Sequence, residues 1–219
     1  MSVREKFEFE LNSAQEELTT LSTMAVDALN KSMEALVTQD VDAALEIIEH
    51  DKEINQLEET INDQVILLIA KQSPVATDLR RLIVTIKVAS DMERVGDYAV
   101  NIAKETIRIG NQPLLAQITQ IQQMQKLAVA MLNQVIEAFV EEDVIKAKEI
   151  AELDDQVDEL YGNVIRQLMR VGGEHPDKLS QITQLSFISR YMERSADHAT
   201  NIAEQLFYLV RGRHYDLNK

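Results

Sequence analysis

The chain has 219 residues and a mass of 24.9 kDa, enough for one or two compact domains with a substantial core. It carries 37 acidic against 22 basic residues, a formal net charge of −15, which argues against direct binding to nucleic acid or to an anionic membrane, where each phosphate contact needs Lys or Arg. Cys and Trp are absent, so disulfides, thiolate metal sites and cysteine nucleophiles are excluded, and any chemistry must come from oxygens and nitrogens.

Residues 1–10 hold no apolar run of the signal-peptide kind, and no stretch approaches the roughly 18 apolar residues that cross a bilayer. A soluble, cytoplasmic protein is expected, peripheral to a membrane at most. Most of the six Gly and all three Pro fall at Pro74, Gly110 to Pro113, Gly172-Gly173 to Pro176, and Gly212. Between them helices are expected near 5–37, 40–71, 75–109, 113–140, 143–171 and 177–211. The second opens at Asp40, a suitable N-cap, and carries Ile47, Ile54, Leu57, Ile61, Val65 and Leu68 at helical spacing. The third follows Pro74 and the fourth follows Pro113. The fifth opens at Asp143 and repeats the second with Ile150, Val157, Leu160, Val164 and Leu168, ending at an interhelical loop, Gly172-Gly173. No strand-like alternation competes with these patterns.

A repeat organises the whole. Met92 to Ala103 aligns with Met192 to Ala203 at an offset of 100, with eight of twelve positions identical. Upstream, Asp40-Val41 and Ile47 to Leu57 match Asp143-Val144 and Ile150 to Leu160 at an offset of 103. Each half then holds three helices in the same order. The expected fold is all-α, two tandem antiparallel three-helix bundles, with domains at 1–110 and 111–219.

Acidic residues interrupt the apolar stripes. On the third helix Glu93 and Asp97 fall where a bundle would place Leu or Ile, and Asn101 continues the i, i+4, i+8 line. On the sixth, Glu193, Asp197 and Asn201 do the same. On the second helix Asp51 lies between Ile47 and Ile54 with Asn55 one turn on, and on the fifth Asp154 lies between Ile150 and Val157 with Asp158 one turn on. Antiparallel packing would set Asp51 beside Glu93 and Asp97, and Asp154 and Asp158 beside Glu193 and Asp197. Unpaired like charges in a partly dry seam are costly, so a neutralising cation is expected. Arg94 and Arg194, about 100° round the helix from the glutamates, are not expected to reach the cluster. Oxygen ligands suit iron, manganese, magnesium, calcium or zinc. One Glu-x-x-x-Asp pair among 37 acidic residues is most often a solvated face; its recurrence on both apolar stripes argues otherwise. Arg190, three residues before Glu193, is the alternative neutraliser, but the first half has Ser90 in its place.

Other features are weaker. No His follows a Glu at the i, i+3 spacing of ferritin-like di-iron sites, and His198 is read as a neighbour of the seam or a surface residue. Arg80-Arg81 and Arg211-Gly212-Arg213 are read as cap or surface charges, and Met92 and Met192 as core.

Taken together, Pro74-x-x-x-Asp78-Leu79-Arg80, Asp91-Met92-Glu93-Arg94-x-x-Asp97 with Asn101-Ile102-Ala103, and Tyr191-Met192-Glu193-Arg194-x-x-Asp197-His198 with Asn201-Ile202 resemble the PhoU family over almost the whole chain. The resemblance implies a pair of three-helix bundles. It also implies a metal signature of Glu or Asp followed four residues later by Asp, carried here by Glu93 with Asp97 and Glu193 with Asp197. Asp154 with Asp158 fits it, and Asp51 with Asn55 departs from it. It further implies a cytoplasmic, commonly homodimeric regulator without enzymatic activity. Such a protein would stand between the ATPase subunit of a phosphate ABC transporter and a phosphate-sensing histidine kinase, with negative regulation when phosphate is plentiful. A carboxylate-bridged metalloenzyme and a purely structural helical scaffold are the alternative readings of the residues themselves.

Overall fold

The computed structural model describes residues 3–217, so the outer ends of the two expected domains lie outside the described residues. Six α-helices form: α1 (Val3–Thr38), α2 (Val41–Gln72), α3 (Ala76–Ile109), α4 (Ile118–Glu141), α5 (Val144–Glu174) and α6 (Leu179–Arg211), with a 3₁₀ turn at Pro176–Lys178. No strand occurs among the described residues, and no helix is long and apolar enough to cross a membrane. Helices α1 to α3 pack together, as do α4 to α6, and the halves meet through α3 against α6 and α1 against α4.

Both expected N-caps form: the Asp40 carboxylate accepts from Ala43 N at 2.9 Å, and Asp143 accepts from Ile145 N at 2.8 Å. Two boundaries differ from expectation. Helix α4 begins at Ile118, not near Pro113, because the preceding segment is tied to α6: Gln181 Nε2 donates to the Pro113 carbonyl at 3.1 Å, and Leu115 N donates to Gln181 Oε1 at 2.8 Å. Helix α5 runs through Gly172 and Gly173 to Glu174 instead of ending before them. The repeat explains this, since an offset of 103 maps the two glycines onto Ile69 and Ala70 inside α2. Residues 73–75, the loop between α2 and α3, are what the second half lacks.

Helices α3 and α6 lie at the centre. Their inner faces hold Leu82, Val88, Met92, Val95 and Ile102, and Leu185, Ile188, Met192 and Ile202, all fully buried. Met92 and Met192 are thus core residues as expected, and one continuous hydrophobic cluster runs through both halves. Across the α3–α6 contact, equivalent positions exchange partners. Asp91 bonds His198 Nδ1 at 2.8 Å, while Tyr98 stacks on Tyr191 with ring centroids 5.9 Å apart and its hydroxyl lies 3.3 Å from His198 Nε2. Positions 91 and 98 of one half therefore meet 198 and 191 of the other, as about a local two-fold axis. Elsewhere Arg81 Nε bonds Glu142 at 2.8 Å, so one of the two adjacent arginines joins the halves instead of serving as a surface charge.

Candidate functional site

The two acidic seams form where α2 meets α3 and where α5 meets α6. In the first, Asp51, Asn55, Glu93 and Asp97 are all half-buried. Gly96 lets the helices close up there: a Cβ on it would lie 3.1 Å from Ile54 Cδ1 and 3.6 Å from Asp51 Oδ1. Asn55 Nδ2 donates to Asp51 Oδ2 at 3.2 Å, whereas Asp51 Oδ1 and Asn55 Oδ1 are buried without a hydrogen-bond partner. Burial, and then the charge of Asp97, raise the Asp51 pKa; the Asn55 bond opposes them. Glu93 is raised by burial and by Asp97, with Glu58 and Asp51 adding and Arg94 opposing.

In the second seam Asp154 is 5% exposed and Glu193 8%. Burial, joined by Asp158 and Asp197, pushes Asp154 up to about 6, against a hydrogen bond from the Thr200 hydroxyl. Burial and the charge of Asp197 push Glu193 up to about 7, with Asp158 adding and Arg190 opposing. Arg190 Nη1 donates to Glu193 Oε1 at 2.5 Å, but Glu193 Oε2 is buried without a partner. The guanidinium of Arg190 is braced over the Tyr161 ring at 5.8 Å. Asp158, at the edge of the seam, is raised by partial desolvation against the neighbouring helix and by the charge of Asp197.

Helical geometry accounts for the departures from expectation. Steps of four residues advance about 40° each, and by the third member of the α6 line this carries Asn201 out to an exposed position. Asn101 stays half-buried like Glu93 and Asp97, and Asp158 is exposed at the edge of its seam. Arg94 does reach the acidic pairs. Its long side chain runs along the helix to place Nη1 3.0 Å from Asp97 Oδ2 and Nε 3.7 Å from Glu93 Oε2, and Arg194 lies 3.7 Å from Asp197. His198 is held between the halves, its Nδ1 2.8 Å from Asp91 Oδ1 and its Nε2 3.3 Å from the Tyr98 hydroxyl.

Two contributors escaped the sequence reading. Glu58, at i+7 from Asp51, faces Glu93, and that heptad spacing was the available signal. Thr200 faces Asp154, and its difference from Val100 in the repeat was the clue. The halves are thus unlike: Ser90 and Glu58 stand where the second half has Arg190 and Tyr161.

The donor set consists of oxygens, several buried and unpartnered, and this fits a hard or borderline cation. Among the described residues no three Asp, Glu or His side chains converge as a ready cage for an ion. The seams present pairs. An ion held by Asp51, Glu93 and Asp97, or by Asp154, Glu193 and Asp197, would draw further ligands from water or from small side-chain movements. The carboxylates of each seam are turned toward one another, and this arrangement suits the binding of a cation.

Comparison with known proteins is consistent across three kinds of match. The PhoU domain family matches residues 18–106 and again 121–206. A phosphate-specific transport system accessory protein PhoU homolog from Clostridium acetobutylicum is 37% identical over 216 residues, covering 98% of this chain and 99% of that protein. The phosphate-specific transport system accessory protein PhoU of Escherichia coli is 31% identical over 210 residues, covering 96% of this chain and 87% of its own length. The crystal structure of the phosphate transport system regulatory protein PhoU from Streptococcus pneumoniae superposes with a TM-score of 0.89 at 31% identity, covering 96% of this chain and 99% of that one. Both halves are matched and the relatives align end to end, so the chain belongs to the PhoU family.

Proposed function

We propose that this chain is a metal-binding regulator of phosphate uptake. It is cytoplasmic and homodimeric, and it joins the ATPase subunit of a phosphate ABC transporter to a phosphate-sensing histidine kinase. There it restrains uptake and the starvation response when phosphate is plentiful. The names of its relatives, phosphate-specific transport system accessory proteins, support the transport role. Its role is one of contact and not of turnover.

The observation that carries metal binding is the recurrence of buried, unpartnered carboxylate oxygens in both halves, Asp51 Oδ1 and Glu193 Oε2. Asp51, Glu93 and Asp97 would hold the ion of the first seam, with Asn55 and Asn101 beside it. Asp154, Glu193 and Asp197 would hold that of the second, with Asp158 and Asn201 at its open edge. A bound cation supplies charge neutralisation: it turns mutual repulsion into a clamp of α2 on α3 and of α5 on α6. The protein's own part is to fix the helices so that the carboxylates stay paired.

The test is elemental analysis of untagged protein, followed by chelation and thermal unfolding. Metal should co-purify, and chelator should lower the melting temperature, because a ligand of the folded state adds RT ln(1 + [L]/Kd). Glu93→Ala combined with Glu193→Ala should remove the metal, the chelator effect and capture of the transporter ATPase subunit. Unchanged metal content and unchanged capture would refute the proposal.

A further inference from the structure

An open groove of about 590 Å³ lies between α1 and α2, from the Asp40 turn to Gly96. Its floor is apolar, built from Met24, Ala28, Ile47, Ile54 and Val100. Its rim is acidic, with Asp27, Glu34, Glu46 and Glu53 against Lys31 and His50. Lys31 is already engaged, its ammonium 2.7 Å from Asp27. Glu34 meets no cationic side chain within ion-pair distance among the described residues.

The repeat supplies an internal comparison. At an offset of 103, Ala28, Ala43, His50 and Glu34 become Met131, Lys146, Leu153 and Glu137. In the second half Met131 fills the floor, fully buried. Lys146 reaches from α5 to α4, its ammonium 3.1 Å from Glu137 and 2.7 Å from Glu141. The same space between helices is therefore plugged in the second half by an apolar side chain below and an ammonium above. In the first half alanines leave both places open while the acidic partner, Glu34, is retained. What one half provides from its own chain, the other is shaped to receive.

From this we infer that the α1–α2 groove of the first half docks a basic amphipathic helix of a partner protein. Leu, Ile or Met side chains at i, i+3, i+4 and i+7 would occupy the Ala28 and Ile47 floor, where Met24 can adapt its shape. Lys or Arg beside them would reach Glu34, Glu46 and Glu53, one of them standing in for Lys146. The wall from Met24 to Thr38 is about 21 Å long at 1.5 Å per residue, which accommodates about four helical turns. Asp51 and Gly96 line both this groove and the first seam, so the test is run with chelator present, which removes any bound cation and lets the two readings succeed or fail separately.

The experiment is fluorescence anisotropy of the full chain with a labelled 15-residue peptide that carries Leu at helical spacing and Lys between. A scrambled peptide of identical composition is the reference for non-specific attraction to an acidic protein. The ordered peptide should bind at least tenfold more tightly than the scrambled one. Ala43→Lys and Ala28→Met, which install the residues the second half holds there, should each weaken it tenfold or more. Thr60→Lys, which adds the same charge on the exposed side of α2, should change it less than threefold. Equal binding of the scrambled peptide, or indifference to Ala43→Lys in a variant with an unchanged melting curve, overturns the inference. So does a peptide that fails to bind while Ala43→Lys converts a dimer to a monomer in sedimentation, which would make the groove a self-contact.

Discussion

Asp154 and Glu193 hold protons more tightly in the folded chain than an ordinary carboxyl does, and this sets a direction for stability. Between ordinary carboxylate values of about 4 and the folded values of about 6 and 7, the native state binds more protons than the unfolded state. Metal-free protein should therefore lose stability as pH rises through that window and regain it on acidification, by on the order of 2 kcal/mol. Urea midpoints of chelator-treated protein at pH 5 and pH 8 measure this, and Asp154→Asn should flatten the profile; a steeper one would contradict the burial argument. The carboxylates themselves were legible as breaks in the apolar stripes. Their neighbours were less so. Arg94 was discounted on angular grounds that ignore the reach of a long side chain, which closes on Asp97 at i+3. The outward turn of Asn201 follows from the accumulated rotation of a 3.6-residue helix, which a line of i+4 steps conceals.

At the level of helices, the two aspartate caps invite a direct comparison. Asp40→Ala and Asp143→Ala should each cost about 1 kcal/mol in chemical denaturation. Asp143→Ala should cost more, because that carboxylate accepts from Lys146 N at 3.3 Å as well as from Ile145 N. Helix number, order and most boundaries could be read from periodicity and caps. The two boundaries that differed have different causes. The Gly172-Gly173 placement was recoverable, since applying the 103-residue offset puts both glycines inside a helix, where packing outweighs their low propensity. The late start of α4 was not, because Gln181, which fixes the preceding segment, is 66 residues away from Leu115 and nothing local announces the contact.

For the molecule as a whole, a core continuous through both halves predicts one cooperative unfolding transition, with calorimetric and van't Hoff enthalpies in agreement. Two separated transitions would mean that the halves fold independently. Met92→Ala, at a fully buried position on α3, should cost about 2–4 kcal/mol and lower that single transition. A fragment of residues 1–110 would leave the α6-facing side of α3 in water and should show little cooperative melting by circular dichroism. The swapped pairing of Asp91 with His198 and Tyr98 with Tyr191 bears on how such a chain can change over time. In a symmetric pair of identical subunits every mutation lands twice, so a contact on the axis can improve only if both of its copies tolerate the change. Covalent fusion lifts that restriction: a duplicated ancestor gains freedom to evolve each side alone, and specialisation of one side need not compromise the other.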